Sequence, residues 1–417
     1  MRNYQVVWVA SAVSLYCLHA LRGLFPLFSA LPPLLSLLGA ALFLIKKSKL
    51  NVDSNGFLLL LFFVFCAALP IFYSFIWYPE EDYTNAFFRY FFILPFLLLA
   101  IFAIDSHEVV TIALKCYVVF VILGALSIYY QIVFGPVSWF AESSEREGLV
   151  RFSSLMGSLT AYGVYAAFAL PVIVFLFRNT LVRVFAFLII VTGMLLTLQK
   201  AAVMNILAFV ILAFMFERKA FKGIVIACSI AGLLVLYGAY FLDVSYVVST
   251  VDNVLRLRTN SGLSDVSVYQ SILDRLWSLP SKLYEMHGGI GMALGVGMVG
   301  GAGALGFIGF PMSHNGFFDL LFIGGVANLL SFLSVWIVVL IKISVDLKKQ
   351  AGLGGRYSRL CKASLYIWLL FIINFVFSGV LYFQPYGGVV FYTIMVFFLL
   401  RSRQDSASVH VGSQRIS

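Results

Sequence analysis

An all-α, polytopic membrane protein is the fold class that this sequence predicts. Apolar runs of about 20 residues recur along almost the whole chain, each long enough to cross a bilayer core of about 30 Å. The 417 residues are 62% hydrophobic and only 11% charged, with a mean hydropathy of +1.00, too little charge to cover a soluble domain of that size. Lipid offers no partners to backbone amides, so each span must satisfy its own, and a helical bundle is expected rather than a barrel.

The runs fall near 6–21, 25–45, 56–78, 84–104, 109–134, 155–177, 181–198, 201–216, 221–242, 317–343, 364–382 and 386–401, about twelve spans in all. No small-residue cleavage site follows the first run, so it reads as an uncleaved span rather than a signal peptide. Only Gln199 and Lys200 separate spans seven and eight. The chain therefore divides into a bundle over 1–242 (spans one to nine), a large loop over 243–316, spans ten to twelve over 317–401, and a tail over 402–417. Cys17, Cys66, Cys116, Cys228 and Cys361 all lie in or beside apolar runs, without metal-ligand spacing. They read as packing residues rather than a disulfide framework.

Lysines and arginines orient the spans. Lys46, Lys47 and Lys49 follow span two; Arg178 and Arg183 separate six from seven; Arg218, Lys219 and Lys222 separate eight from nine. Lys348, Lys349, Arg356, Arg359 and Lys362 precede span eleven, and Arg401 and Arg403 follow span twelve. With twelve spans all of these share the side of the N-terminus, which predicts cytoplasmic termini in a bacterial inner membrane. Glu80, Glu81 and Asp82 lie on the opposite side. The net charge of +10 is thus a topology signal, and no basic soluble surface remains to bind nucleic acid. The long loops 135–154 and 243–316 then face the periplasm. No ATP or nucleotide sugar is present there, so chemistry on that face needs a substrate already activated.

The positive-inside bias should deplete that face of cations, yet five chain regions bring a cation or an imidazole to it. These are Arg89 in span four, Arg151 before span six, Lys200 in a tight turn, Arg256, Arg258 and Arg275 in the large loop, and His314 at the mouth of span ten. Any one of the arginines could simply snorkel to the interface or sit in a solvated loop. As a set they suit a multiply charged anion, because the guanidinium fork pairs with phosphate oxygens. A lipid diphosphate carries its head group at this depth.

His314 sits between Ser313 and Asn315, where water meets lipid, and Asp319 follows five residues later. An interfacial histidine is commonly structural. In this setting it is also a credible general base or proton acceptor, with Asp319 as an orienting or charge-balancing partner at an awkward helical spacing. The large loop reads as an amphipathic helix over 252–285, with Val268, Ile272, Leu276 and Leu279 in register, interrupted at Pro280. Ten glycines follow between Gly288 and Gly309. Such a tract commonly serves as a flexible connector, and it can also act as a hinge or let backbone approach a glycan. It is not a P-loop, since no Gly-Lys-Ser/Thr follows it.

At these residues the chain resembles the O-antigen polymerase and ligase superfamily of bacterial envelope proteins, in topology along its whole length and in detail in its second half. Ser313-His314-Asn315 is similar to that family's His-Asn or His-Ser signature, and Gly325 falls at the family's glycine offset. Gly295-Val296-Gly297 resembles its Gly-x-Gly, and Arg275 with Trp277 its Arg-x-Trp. Arg151 followed by Gly157 resembles its Arg-led motif, and Thr197-Leu198-Gln199-Lys200 its Thr-x-Ser-Arg segment. In two places the chain departs. Lys200 stands where arginine is common, and Asn328 stands where the ligase signature has a second Gly, Thr or Val.

The resemblance implies a GT-C-like architecture and metal-independent, cofactor-free glycosyl transfer from an undecaprenyl-diphosphate carrier at the periplasmic face. Catalysis would rest on His314, Arg275 and Arg151, and substrate binding on Arg89, Lys200, Arg258, Asn315, Asp319 and Trp277. The donor is a lipid-linked glycan and the acceptor another such unit (polymerase) or lipid A-core (ligase). A chain-length regulator and a flippase are the implied protein partners. The incomplete ligase signature favours polymerase. A polysaccharide or small-solute transporter is the rival from another class. No matching halves are found in the chain, and Asp319 is one of few acids in the spans.

Overall fold

The structure, a computed structural model, describes residues 2–46, 52–77, 84–137, 139, 144–146, 149–157, 161–197, 199–242, 281, 284–285, 288–295, 297, 315–350, 355–377 and 384–400. The helices are α1 (Arg2–Cys17), α2 (Leu31–Lys46), α3 (Ser54–Trp77), α4 (Thr84–Ala103), α5 (His107–Phe134), α6 (Ala161–Tyr165), α7 (Ala169–Leu176), α8 (Thr180–Leu196), α9 (Lys200–Phe216), α10 (Arg218–Leu242), α11 (Gly316–Lys349), α12 (Arg356–Phe377) and α13 (Pro385–Leu400). A two-stranded antiparallel ribbon, β1 (Ser144–Arg146) and β2 (Leu149–Arg151), pairs Ser144 with Arg151.

Each expected apolar run contains a helix, and α5, α11 and α12 are long and apolar enough to cross a membrane. The side chains follow. Leu27, Phe134, Leu181 and Phe185 are exposed, whereas Gln131, Asn205, Asn328 and Asn374 are buried. Apolar outside with amides inside is the arrangement of a helical membrane protein. Packing is dense: Phe332, Phe375, Phe371, Phe391 and Trp368 stack across α11, α12 and α13, with the Phe332 and Phe375 ring centroids 4.5 Å apart. All five cysteines are free thiols.

Contacts between helix ends fix the alternation of direction. At one end Lys342 donates to Asp53 (2.6 Å) and to the Leu399 carbonyl (2.8 Å), Lys362 pairs with Glu217, Tyr357 donates to Asp346, and Gln5 donates to Asp105 (2.7 Å). At the other end Tyr16 donates to the Phe92 carbonyl (2.8 Å), and Gly23 lies against the Trp139 carbonyl. The first end is rich in cations: Lys46, Lys115, Arg178, Arg183, Lys222, Lys348, Lys349, Arg356 and Arg359 fall there, as the charge pattern requires.

Three boundaries differ from the expected ones. α12 starts at Arg356, eight residues before the expected span, so Arg356, Arg359 and Lys362 are helical. Their long stems let the charges reach the helix end while the backbone stays folded. The sixth span starts at Ala161 and is interrupted by a 3-10 turn at Ala166–Phe168. Before it, Ser154 and Gly157 form a bridged turn with Gly157 at φ +110°, a conformation that no helix continues. The first helix stops at Cys17, and His19–Gly23 turn as 3-10 helix, leaving Arg22 exposed. Of the expected loop helix over 252–285, residues 252–280 lie outside the described residues.

Candidate functional site

The cation-poor end gathers the described positions of the candidate site. The segment after Arg151 is pinned to the last turns of α5. Gln131 donates to the carbonyls of Ser153 (2.7 Å) and Ser127 (3.1 Å), and the Leu155 N–H donates to Ser127 Oγ (2.9 Å). A buried amide with several partners in this way holds a loop in one register. Gly157 then meets the start of α13: a Cβ there would lie 2.9 Å from the Tyr386 ring. Tyr386 packs on Tyr165 with ring centroids 5.5 Å apart, and it lies in electrostatic reach of Arg22. Arg22 donates to His19 Nε2 at 2.9 Å, and the His19 ring lies 4.5 Å from Phe92. Burial, then the Arg22 cation, pushes the His19 imidazole down to about 4, so it is neutral at physiological pH.

A second group sits where α6, α9 and α12 meet. Gly163 faces the Gln199 amide, which would be 2.8 Å from a Cβ at that glycine. The Gly163 carbonyl accepts from Asn205 (3.2 Å), Asn205 donates also to Asn374 Oδ1 (2.8 Å), and Asn374 donates to the Leu370 carbonyl (2.9 Å). Both amide atoms of Gln199 are buried without a hydrogen-bond partner among the described residues. So are both of Asn328.

α11 opens on a cap. Asn315 has extended backbone, and its Oδ1 accepts from the N–H groups of Phe317 (3.0 Å) and Phe318 (3.3 Å), which accounts for an asparagine here in structural terms. Asp319, in the first turn, adds negative charge where the helix dipole favours it. Nine residues after Asn315 the helix breaks: Gly324 (φ −127°, ψ 15°) and Gly325 (φ 65°, ψ −168°) are non-helical. A carbonyl released at such a break needs a donor. The donor for Ile323 is the N–H of Gly297, at 2.8 Å.

The contact leaves no room for side chains. A Cβ at Gly295 would lie 2.4 Å from the Ile323 carbonyl oxygen, and one at Gly325 would lie 2.2 Å from that of Ala293. Gly295, Gly297 and Gly325 all have positive φ. The residues before them, 288–294, are helical. In its described part the glycine tract makes a close backbone contact, and the partner is the glycine pair after the His314 motif.

The nine candidate residues divide by what is described. Asn315 and Asp319 begin α11 at the cation-poor end. Arg89 in α4, Arg151 in β2 and Lys200 at the start of α9 have their backbone at that end, and nothing is described of their side chains. His314, Arg275, Arg258 and Trp277 lie outside the described residues. Sequence reasoning missed Arg22, hidden at the edge of an apolar run, and Tyr386, which carries no charge to draw notice; it placed Gln199 in a motif without giving its amide a role. Among the described residues no group of three or more His, Cys, Asp or Glu could hold a metal ion. The sequence matches no protein-family model, and no curated protein matches it either.

Proposed function

We propose that this chain polymerises lipid-linked oligosaccharide repeat units at the periplasmic face of a bacterial inner membrane, in a bundle of about twelve spans. The observation that carries the reading is the docking of Gly295 and Gly297 on the break at Gly324 and Gly325. Two motif positions on which the family resemblance rests are far apart in sequence and in contact in space. The contact joins the described glycines of the loop to the helix that follows the motif.

In this reading the cations of the cation-poor end receive the diphosphate. Arg151 and Arg275, with Arg89, Lys200 and Arg258, neutralise the charge that grows on the leaving group as the glycosidic bond breaks. His314 accepts the proton of the acceptor hydroxyl or orients that hydroxyl, with Asn315 and Asp319 at the same helix start and Trp277 against the glycan. The bond formed joins the acceptor oxygen to the anomeric carbon, and undecaprenyl diphosphate departs.

The test is complementation of a strain lacking this protein with Arg275→Ala, Arg151→Ala and His314→Ala variants at normal abundance. Lipopolysaccharide ending at core plus one repeat supports a polymerase. Bare core with glycan retained on the carrier lipid assigns the ligase reaction instead. Lipid-linked units trapped on the inner leaflet would make the chain a carrier and end the enzyme reading.

A further inference from the structure

α9 begins against two physical expectations. Its N-cap residue, Gln199, has extended backbone, yet its side chain caps no amide. That side chain is 5% exposed, and neither its Oε1 nor its Nε2 meets a hydrogen-bond partner among the described residues. A buried amide without a partner loses the water it bonded in the unfolded chain and gains nothing in exchange. A methionine would fill the same length without that cost. The next residue, Lys200, puts a cation in the first turn, where the helix dipole disfavours one, and that turn holds no acid to offset it.

The surroundings show why the amide stays unpaired. A Cβ on Gly163 would lie 2.8 Å from Gln199 Oε1 and 2.9 Å from the Ala202 Cβ. The amide therefore lies beside the first turn of α9, against the bare backbone of α6. The groups around it are already bonded. The N–H groups of Ala202 (3.1 Å) and Val203 (3.4 Å) donate to the Gln199 carbonyl. The Gly163 carbonyl accepts from Asn205, which also donates to Asn374 Oδ1. A side chain held by packing alone can turn toward a ligand at the helix start without breaking a hydrogen bond.

We infer that Gln199 is the contact for the first sugar of the lipid-linked donor, at a subsite formed by the start of α9. The inference rests on the transfer reaction proposed above, in which Lys200 meets the diphosphate. The sugar joined to that diphosphate then lies beside the neighbouring residue. A primary amide offers two N–H donors and an acceptor oxygen, and a sugar presents adjacent hydroxyls that accept and donate. The helix N-terminus favours the anionic end of the same ligand. Bound donor thus supplies what each residue lacks, a partner for the amide and an anion beside the cation. An amide that only the substrate satisfies discriminates strongly, because a ligand without the sugar leaves it unpaired.

Native mass spectrometry of the full chain in detergent reads the subsite, with undecaprenyl diphosphate bearing one repeat unit and bare undecaprenyl diphosphate as probes. Wild type should retain the glycan-bearing lipid about tenfold or more in preference to the bare one. Gln199→Met should abolish that preference, retain the bare lipid as wild type does, and melt no lower than wild type without lipid. Three results would each overturn the inference: no preference in wild type, an equal preference in Gln199→Met, or a lower melting temperature for that variant, which would give the amide a structural partner. The reaction itself fails on a different readout. Transfer that survives Arg275→Ala and His314→Ala would end it, while a sugar preference dependent on Gln199 would still mark the start of α9 as a glycan-binding subsite.

Discussion

The backbone N–H of Gly297 donates to the carbonyl of Ile323 across 2.8 Å, in the middle of a helix whose own ladder is interrupted one residue later. A segment far upstream thus supplies a partner that α11 lacks. The bond forms only because Gly295 and Gly325 carry no side chains.

Substitution at these glycines should therefore be costly. Gly295→Ala or Gly325→Ala places a methyl against a carbonyl at under 2.5 Å, at positive φ, and should destabilise by about 2–4 kcal/mol. Gly223→Ala, in α10 with nothing within 4 Å, should be neutral or stabilising by up to about 1 kcal/mol. Thermal denaturation of the purified protein distinguishes the sites. Equal melting of all three variants would refute the docking.

The buried amides should split by whether they are paired. Gln199→Met removes two polar atoms that have no partner among the described residues and should raise thermal stability by about 1 kcal/mol. Asn205→Leu removes the partner of both Asn374 and the Gly163 carbonyl and should lower it by about 1–3 kcal/mol. Melting of the two variants in one detergent is the check, and a destabilised Gln199→Met would mean that its amide is satisfied.

His19 predicts a pH dependence. Its imidazole titrates near 4 when folded, against about 6.5 in an unfolded chain, so the unfolded state binds the extra proton in between. Its contribution is complete above about pH 6.5 and is lost as pH falls toward 4, on the order of 3 kcal/mol in all. His19→Phe should flatten the stability profile across that window. An unchanged profile would mean that the ring is accessible to protons in the folded protein.

Gly157→Ala should act through Tyr386. The new methyl would lie 2.9 Å from the ring at φ +110°, displacing the turn after Arg151. A loss of proposed transfer activity partly restored by Tyr386→Ala would place the defect at this contact. Failure of the second change to restore anything would leave backbone strain alone as the cause.

The sequence reveals the helices because lipid enforces long apolar runs, and each such run holds one. It conceals the turn before α6, because Ser153 to Gly157 is as apolar and small as a span, and only the left-handed Gly157 stops the helix. The charge pattern groups Arg178, Arg356, Arg359 and Lys362 on one side, and these residues lie at one end of the helices. The sequence conceals Arg22, because the apolar run extends through Leu21, whereas the helix ends at Cys17. The motif glycines are visible as letters. Their meaning as a break and its cover depends on a contact between residues 297 and 323, which no local pattern encodes. Asn315 has the chemistry of a ligand, but an Asn ahead of an apolar run also signals a helix cap, which is the contact its side chain makes.

Trp336 and Trp368 exchange indole N–H groups for each other's carbonyls, at 3.3 and 2.9 Å. This reciprocal clasp, with the Lys342 tether to Asp53 and Leu399, locks the inner two-thirds of α11 to α12, α3 and α13 as one stiff block. The stub from Gly316 to Ile323 lies beyond the glycine pair, yet its Phe317 ring rests 5.5 Å from that of Phe375 on α12, so side-chain packing rather than an unbroken helix ladder sets its direction.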